Sequence, residues 1–148
     1  MSKAPNPATT RILSPTGYAV GVGVLVGDQY ILTCAHVVAQ AIGCGETEPE
    51  PPRGFVLLEF PFVATGQVLQ AAIECWHPVQ PECTAAMPED IAVLKLSSPL
   101  PAGAKGITLM DGAEMSGHSF DVFGFPEAHN QEGAWAQGEL VRPLTFGW

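Results

Sequence analysis

Apolar and small residues alternate through residues 18–34, YAVGVGVLVGDQYILTC, break at Gly27-Asp28 and then resume. This pattern predicts two antiparallel strands joined by a tight turn. Gly21 and Gly23 fall inside the first strand, where a missing side chain marks a sharp bend or a close backbone approach, as at a barrel corner. The next stretch, AHVVAQAIG, has room for one or two helical turns ended by Gly43. FVLLEFPF, GQVLQAAIECWHP and IAVLKL read as three further strands. Two long loops lie among them, the acidic, proline-bearing CGETEPEPPRG at 44–54 and the segment HPVQPECTAAMPED. Loops of this length in a compact β domain are more often functional than idle. SSPLPAGAKG, residues 97–106, reads as a linker, after which SFDVFGFPE and WAQGELVRPL form two strands of a new unit. No internal repeat is visible.

Composition supports an all-β chain: 47% of residues are hydrophobic, 14% are charged, and there are 16 glycines and 14 prolines. At 148 residues the chain can bury one ordinary core, but all-β barrels often need roughly 200–250 residues for a single domain. Six basic against fifteen acidic residues give a formal charge of −9, which leaves no basic stripe for phosphates. Neither nucleic acid nor an anionic membrane is therefore an expected partner. The N-terminus lacks an apolar core behind its lysine, and no run approaches the length of a membrane span. The expectation is a cytoplasmic protein whose four cysteines, Cys34, Cys44, Cys75 and Cys83, remain thiols. Cys75, His77 and Cys83 have a C-x-H-x5-C spacing without a second tight pair, so no metal site and no cofactor are expected from them.

The candidate chemistry centres on LTCAHVV, where His36 follows the end of a hydrophobic strand, and on EDIAVLKL, where Asp90 stands just before another. A carboxylate at the start of a buried strand is costly unless it accepts hydrogen bonds. A histidine ring is one possible donor, with Nδ1–H on the carboxylate and Nε2 facing a cleft, as in a catalytic triad. Glu89 adjoins Asp90, and spacing alone leaves either as the partner.

The segments GVGVLVGDQYILTCAHVV, DIAVLKL and VFGFPE, in that order, resemble the trypsin-like (chymotrypsin-fold) serine endopeptidases. The resemblance is to the bacterial Deg-type branch and to trypsin-like domains attached to bacterial conflict-system NTPases, and it covers about residues 11 to 148. It implies a chymotrypsin-like double β-barrel with the first barrel complete and the second truncated. The implied division is 9–97 for the first barrel, 98–117 for a linker and 118–148 for the start of the second. It places His36 as general base, Thr33 in a supporting position and Asp90 as the orienting carboxylate. Cys34 stands where the family usually has a small residue or asparagine, and is expected to be a small buried thiol. Val37 follows His36 where secreted animal trypsins carry a disulfide-bonded cysteine, and no activation-cleavage sequence is present.

The family's nucleophile lies in a Gly-x-Ser-Gly loop, and these residues contain no such loop. The nearest imitation, EMSGHS around Ser116, falls before the expected second barrel and reads as a turn. About a quarter to a third of the domain is implied to be still to come. The expectation is thus a serine endopeptidase part acting on polypeptides, with the nucleophile beyond this chain and little activity alone. An attached NTPase is a possible regulatory partner by analogy. The alternative is a non-catalytic, protease-like module that binds peptides or a partner protein at its sheet edges.

Overall fold

The computed structural model describes residues 6–80, 89–110, 115–129 and 131–141. Six strands close into an antiparallel barrel: β1 (Thr9–Leu13), β2 (Ala19–Val26), β3 (Tyr30–Thr33), β4 (Phe55–Glu59), β5 (Leu69–His77) and β6 (Ile91–Leu96). Around the barrel their order is β1-β2-β3-β6-β5-β4. The helix α1 (Ala35–Ile42) follows β3 directly, and β7 (Ser119–Gly124) pairs with β8 (Ala134–Glu139) in a separate two-stranded sheet. This is the all-β, chymotrypsin-like arrangement anticipated above, with one closed barrel and a partial second sheet.

Period-two burial explains the closure. Val56 and Leu58 of β4, and Ala92, Leu94 and Leu96 of β6, turn inward, while Phe55, Leu57, Ile91, Val93 and Lys95 alternating with them remain more accessible. Ile12, Leu25, Ile31 and Phe60 complete the centre of the core. Register shifts at Ile12/Leu13 and Ile73/Cys75 are the kind of bulge that bends strands into a barrel.

The strand β1 was not among the elements the pattern announced. Its buried positions include Thr9 and Thr10 as well as Ile12 and Leu13, and Arg11 between them pairs with Glu59 directly across on β4. Polar residues facing inward hide the alternation on which a strand assignment depends.

The β2–β3 turn passes through Gly27 at φ +62°, a left-handed value that glycine adopts without steric penalty. Gly21 and Gly23 are close-approach positions: a Cβ on Gly21 would lie 2.6 Å from Val37 Cγ1, and one on Gly23 would lie 2.5 Å from Ile31 Cγ2. The first of these lets α1 settle onto β2. The chain after the barrel runs along its wall, with Ile107 N–H donating to Leu25 O at 2.8 Å. Phe62 meets Phe123 edge-on at 5.1 Å, and Arg11 Nη1 donates to Gln131 O at 3.2 Å, which ties the second sheet to the barrel. Among the described residues, no helix is long and apolar enough to cross a membrane.

Candidate active site

Pairing between β3 and β6 sets the site. Thr33 lies opposite Ala92, so the end of β3 meets the beginning of β6. Thr33 Oγ1 donates to Val22 O at 2.8 Å, which also fixes this end of β3 against β2. Cys34 then takes an extended conformation, φ −86° and ψ 145°, and α1 begins at Ala35. Two apolar turns follow, with Val37, Val38 and Ala41 buried, until Gly43 ends the helix at φ +82°.

The first turn of a helix leaves backbone N–H groups without intrahelical acceptors. Cys34 makes no side-chain capping bond. Asp90 supplies the acceptor from the next strand: its Oδ1 accepts the His36 backbone N–H at 2.9 Å. Its other oxygen, Oδ2, lies 2.6 Å from His36 Nδ1. An ionised carboxylate can only accept, so Nδ1 carries the proton. In the neutral imidazole, Nε2 then has a free lone pair. One carboxylate therefore fixes both the backbone and the ring of His36.

The two candidates that spacing left open are now distinguished geometrically. Glu89 Oε2 accepts from Gln80 Nε2 at 2.8 Å, while Asp90 holds His36. The His36 and Asp90 side chains are 44% and 33% exposed, so the ring is open to solutes at the surface. His36 also lines a cavity of about 330 Å3 with Ala39, Gln40, Cys44 and Glu46. The acidic loop beside it is tethered by Trp76 Nε1–H to Glu48 O at 2.9 Å and by Val79 N–H to Glu46 O at 3.1 Å.

Cys34 departs from expectation. It is exposed rather than buried, because it occupies the turn between β3 and α1 outside the closed barrel. Partial burial, and then the negative charge of Asp90, push its thiol up from the usual range. Cys34, His36 and Asp90 each offer a ligand atom within 4.8 Å of the others. The signal in the sequence was the Cys-x-His step at a strand end, but its relation to Asp90 depends on the β3–β6 register. Of the earlier metal candidates, Cys75 and His77 lie on β5, whereas Cys83 falls outside the described residues.

Ser116 occupies the turn before β7, where His118 Nδ1 donates to Met115 O at 3.1 Å. Among the described residues no serine hydroxyl bonds to His36, whose ring is held by Asp90. His129 pairs with Glu132 at 2.8 Å on the surface, which lowers the Glu132 pKa chiefly through that hydrogen bond.

The closed barrel followed by a partial second sheet defines the fold class. Residues 21–145 match the model of the trypsin-like peptidase domain, and the chain belongs to this serine-peptidase family. Among solved structures it resembles kallikrein-related peptidase 10, at 19% identity and TM-score 0.57, covering 93% of this chain and 58% of that one. An HtrA-type protease, AlgW with decapeptide, gives 16% identity and TM-score 0.60, with 97% and 46% covered. Neuropsin from mouse brain gives 17% and 0.55, with 90% and 59% covered. These likenesses concern the fold, and the chain spans less than two thirds of each of the three structures. A comparison with curated proteins gives no match.

Proposed function

We propose that this chain is the base-bearing part of a trypsin-like serine endopeptidase, with His36 as general base and acid, Asp90 as its orienting carboxylate and Thr33 as a support of the strand end. The observation that carries this reading is the 2.6 Å contact between His36 Nδ1 and Asp90 Oδ2, which turns Nε2 away from the carboxylate. The nucleophilic serine and the oxyanion donors come from residues outside these 148, because no Gly-x-Ser-Gly loop occurs within them. The corresponding division is a first barrel at 9–97, a linker at 98–117 and the start of the second barrel at 118–148.

In the proposed reaction Nε2 takes the serine proton as the hydroxyl oxygen bonds to the scissile carbonyl carbon. The tetrahedral oxyanion then collapses, the C–N bond breaks, and the leaving amine receives the proton from Nε2. Water repeats the sequence on the acyl-enzyme and releases the acid. A serine hydroxyl needs both this base and fixed N–H donors to its oxyanion, so the present residues alone are expected to be inactive or nearly so. A polypeptide is the proposed substrate class, supported by family membership.

A fluorophosphonate probe tests the reading by comparing residues 1–148 with a chain extended by about 80 residues of its natural continuation. The expected result is labelling of the extended chain alone, abolished in His36→Ala. Absence of labelling in both, or labelling that survives His36→Ala, would overturn the base assignment. The exposed apolar residues Val122 and Trp135 on the β7–β8 sheet would then favour a protein-binding module.

A further inference from the structure

The base pair of this site has a third neighbour that the proteolytic chemistry does not use. Cys34 lies one residue before α1, His36 lies within its first turn, and Asp90 reaches them from the start of β6. Their ligand atoms, one sulfur, one imidazole nitrogen and one carboxylate oxygen, all lie within 4.8 Å of one another. We infer that Cys34, His36 and Asp90 form a binding site for a zinc-class divalent cation, which reversibly blocks the base.

The donor set selects the ion. Calcium and magnesium take oxygen ligands, whereas zinc accepts thiolate, imidazole and carboxylate together. With metal–ligand bonds of about 2.0–2.3 Å, ligands of a tetrahedral ion sit about 3.3–3.6 Å apart. The cluster therefore needs to contract by roughly an ångström at its widest. Cys34 is exposed, and the His36 ring is 44% exposed, so rotation of these side chains supplies that movement without opening the barrel. A three-ligand site leaves the fourth position to water.

Charge around the site favours a cation. Glu46 lines the cavity that His36 borders, and among the described residues no lysine or arginine lines it. The result for the base is the same whichever ring nitrogen coordinates. Coordination through Nε2 occupies the lone pair that would accept the serine proton. Coordination through Nδ1 replaces the proton that Asp90 holds and breaks the orienting contact. Metal binding stands on the cluster itself, while its inhibitory consequence rests on the proteolytic reading above.

Cobalt(II) titration of the 148-residue chain provides the test, because a thiolate ligand gives a charge-transfer band that oxygen and nitrogen ligands do not. The expected result is one equivalent of cobalt with this band, displaced by zinc. The band should persist in the Cys44→Ser/Cys75→Ser/Cys83→Ser triple variant and vanish in Cys34→Ser. Zinc competition in His36→Gln and Asp90→Asn should show affinity lower by at least about tenfold, since even outer-shell changes cost metal sites this much. No band in the parent chain, or a band that survives Cys34→Ser or disappears in the triple variant, would overturn the site. Fluorophosphonate labelling of the extended chain is run separately with chelator present. Metal binding without labelling would refute the base assignment alone, and labelling without metal binding would refute this site alone.

Discussion

Asp90 acts on three groups within a few ångströms. It accepts the His36 backbone N–H, holds the His36 ring, and places negative charge beside the Cys34 thiol. The last effect is measurable without any reaction at the site. Alkylation follows the thiolate fraction, and the Cys34 thiol is raised above the usual thiol range, by partial burial first and by Asp90 second. In a chain retaining Cys34 as its only cysteine, with chelator present, the iodoacetamide rate should rise with an inflection at a higher pH than that of a free thiol measured alongside. Asp90→Asn removes the smaller of the two causes, so the inflection should move down while staying above that of free thiol. An inflection unmoved by Asp90→Asn would show that the carboxylate does not face the sulfur.

Elements place these groups by close contact. A Cβ on Gly21 would meet both methyls of Val37, at 2.6 and 2.7 Å, so the absence of a side chain on β2 sets the height of α1 and of His36 above the barrel. Gly21→Ala should cost about 1–3 kcal/mol through overpacking. Val37→Ala should recover part of that loss in the double variant, a coupling that urea unfolding of the four chains would measure. Additive losses would mean that the helix does not rest on this glycine. The GVG pattern made such an approach legible, and the alternation over residues 18–34 together with the apolar stretches FVLLEFPF, GQVLQAAIECWHP and IAVLKL made β2 to β6 legible as strands. β1 was hidden because Thr9, Thr10 and Arg11 have no apolar period. Asp90 could be proposed from its place before IAVLKL, but the choice between it and Glu89 needed the Thr33–Ala92 register. Cys34 was misread for a related reason: local spacing says that it shares a face with His36, not that this face lies outside the barrel.

At the scale of the whole molecule, Arg11 joins the barrel to the second sheet. It pairs with Glu59 across β1 and β4, donates to Gln131 O, and lies over the Phe125 ring at 5.4 Å. The Arg11 and Glu59 side chains are only 13% and 4% exposed, and Glu59 Oε2 also accepts the Gly66 N–H. Burial lowers the Arg11 pKa, but the guanidinium remains the cation that this carboxylate requires. Removing one member of a buried pair leaves an uncompensated charge, so Arg11→Met should destabilise by about 3–5 kcal/mol. Arg11→Met/Glu59→Leu should recover much of that loss, because two apolar groups can replace such a pair at little net cost. The second sheet should behave differently. Both variants lose the bond to Gln131, so amide exchange in β7 and β8 should accelerate in the double variant as well as the single. Stability restored to the barrel together with exchange still fast in β7–β8 would show that Arg11 has two separable roles, one within the barrel wall and one between the two sheets. Full recovery of both would assign the attachment of the second sheet to the Phe62–Phe123 contact instead.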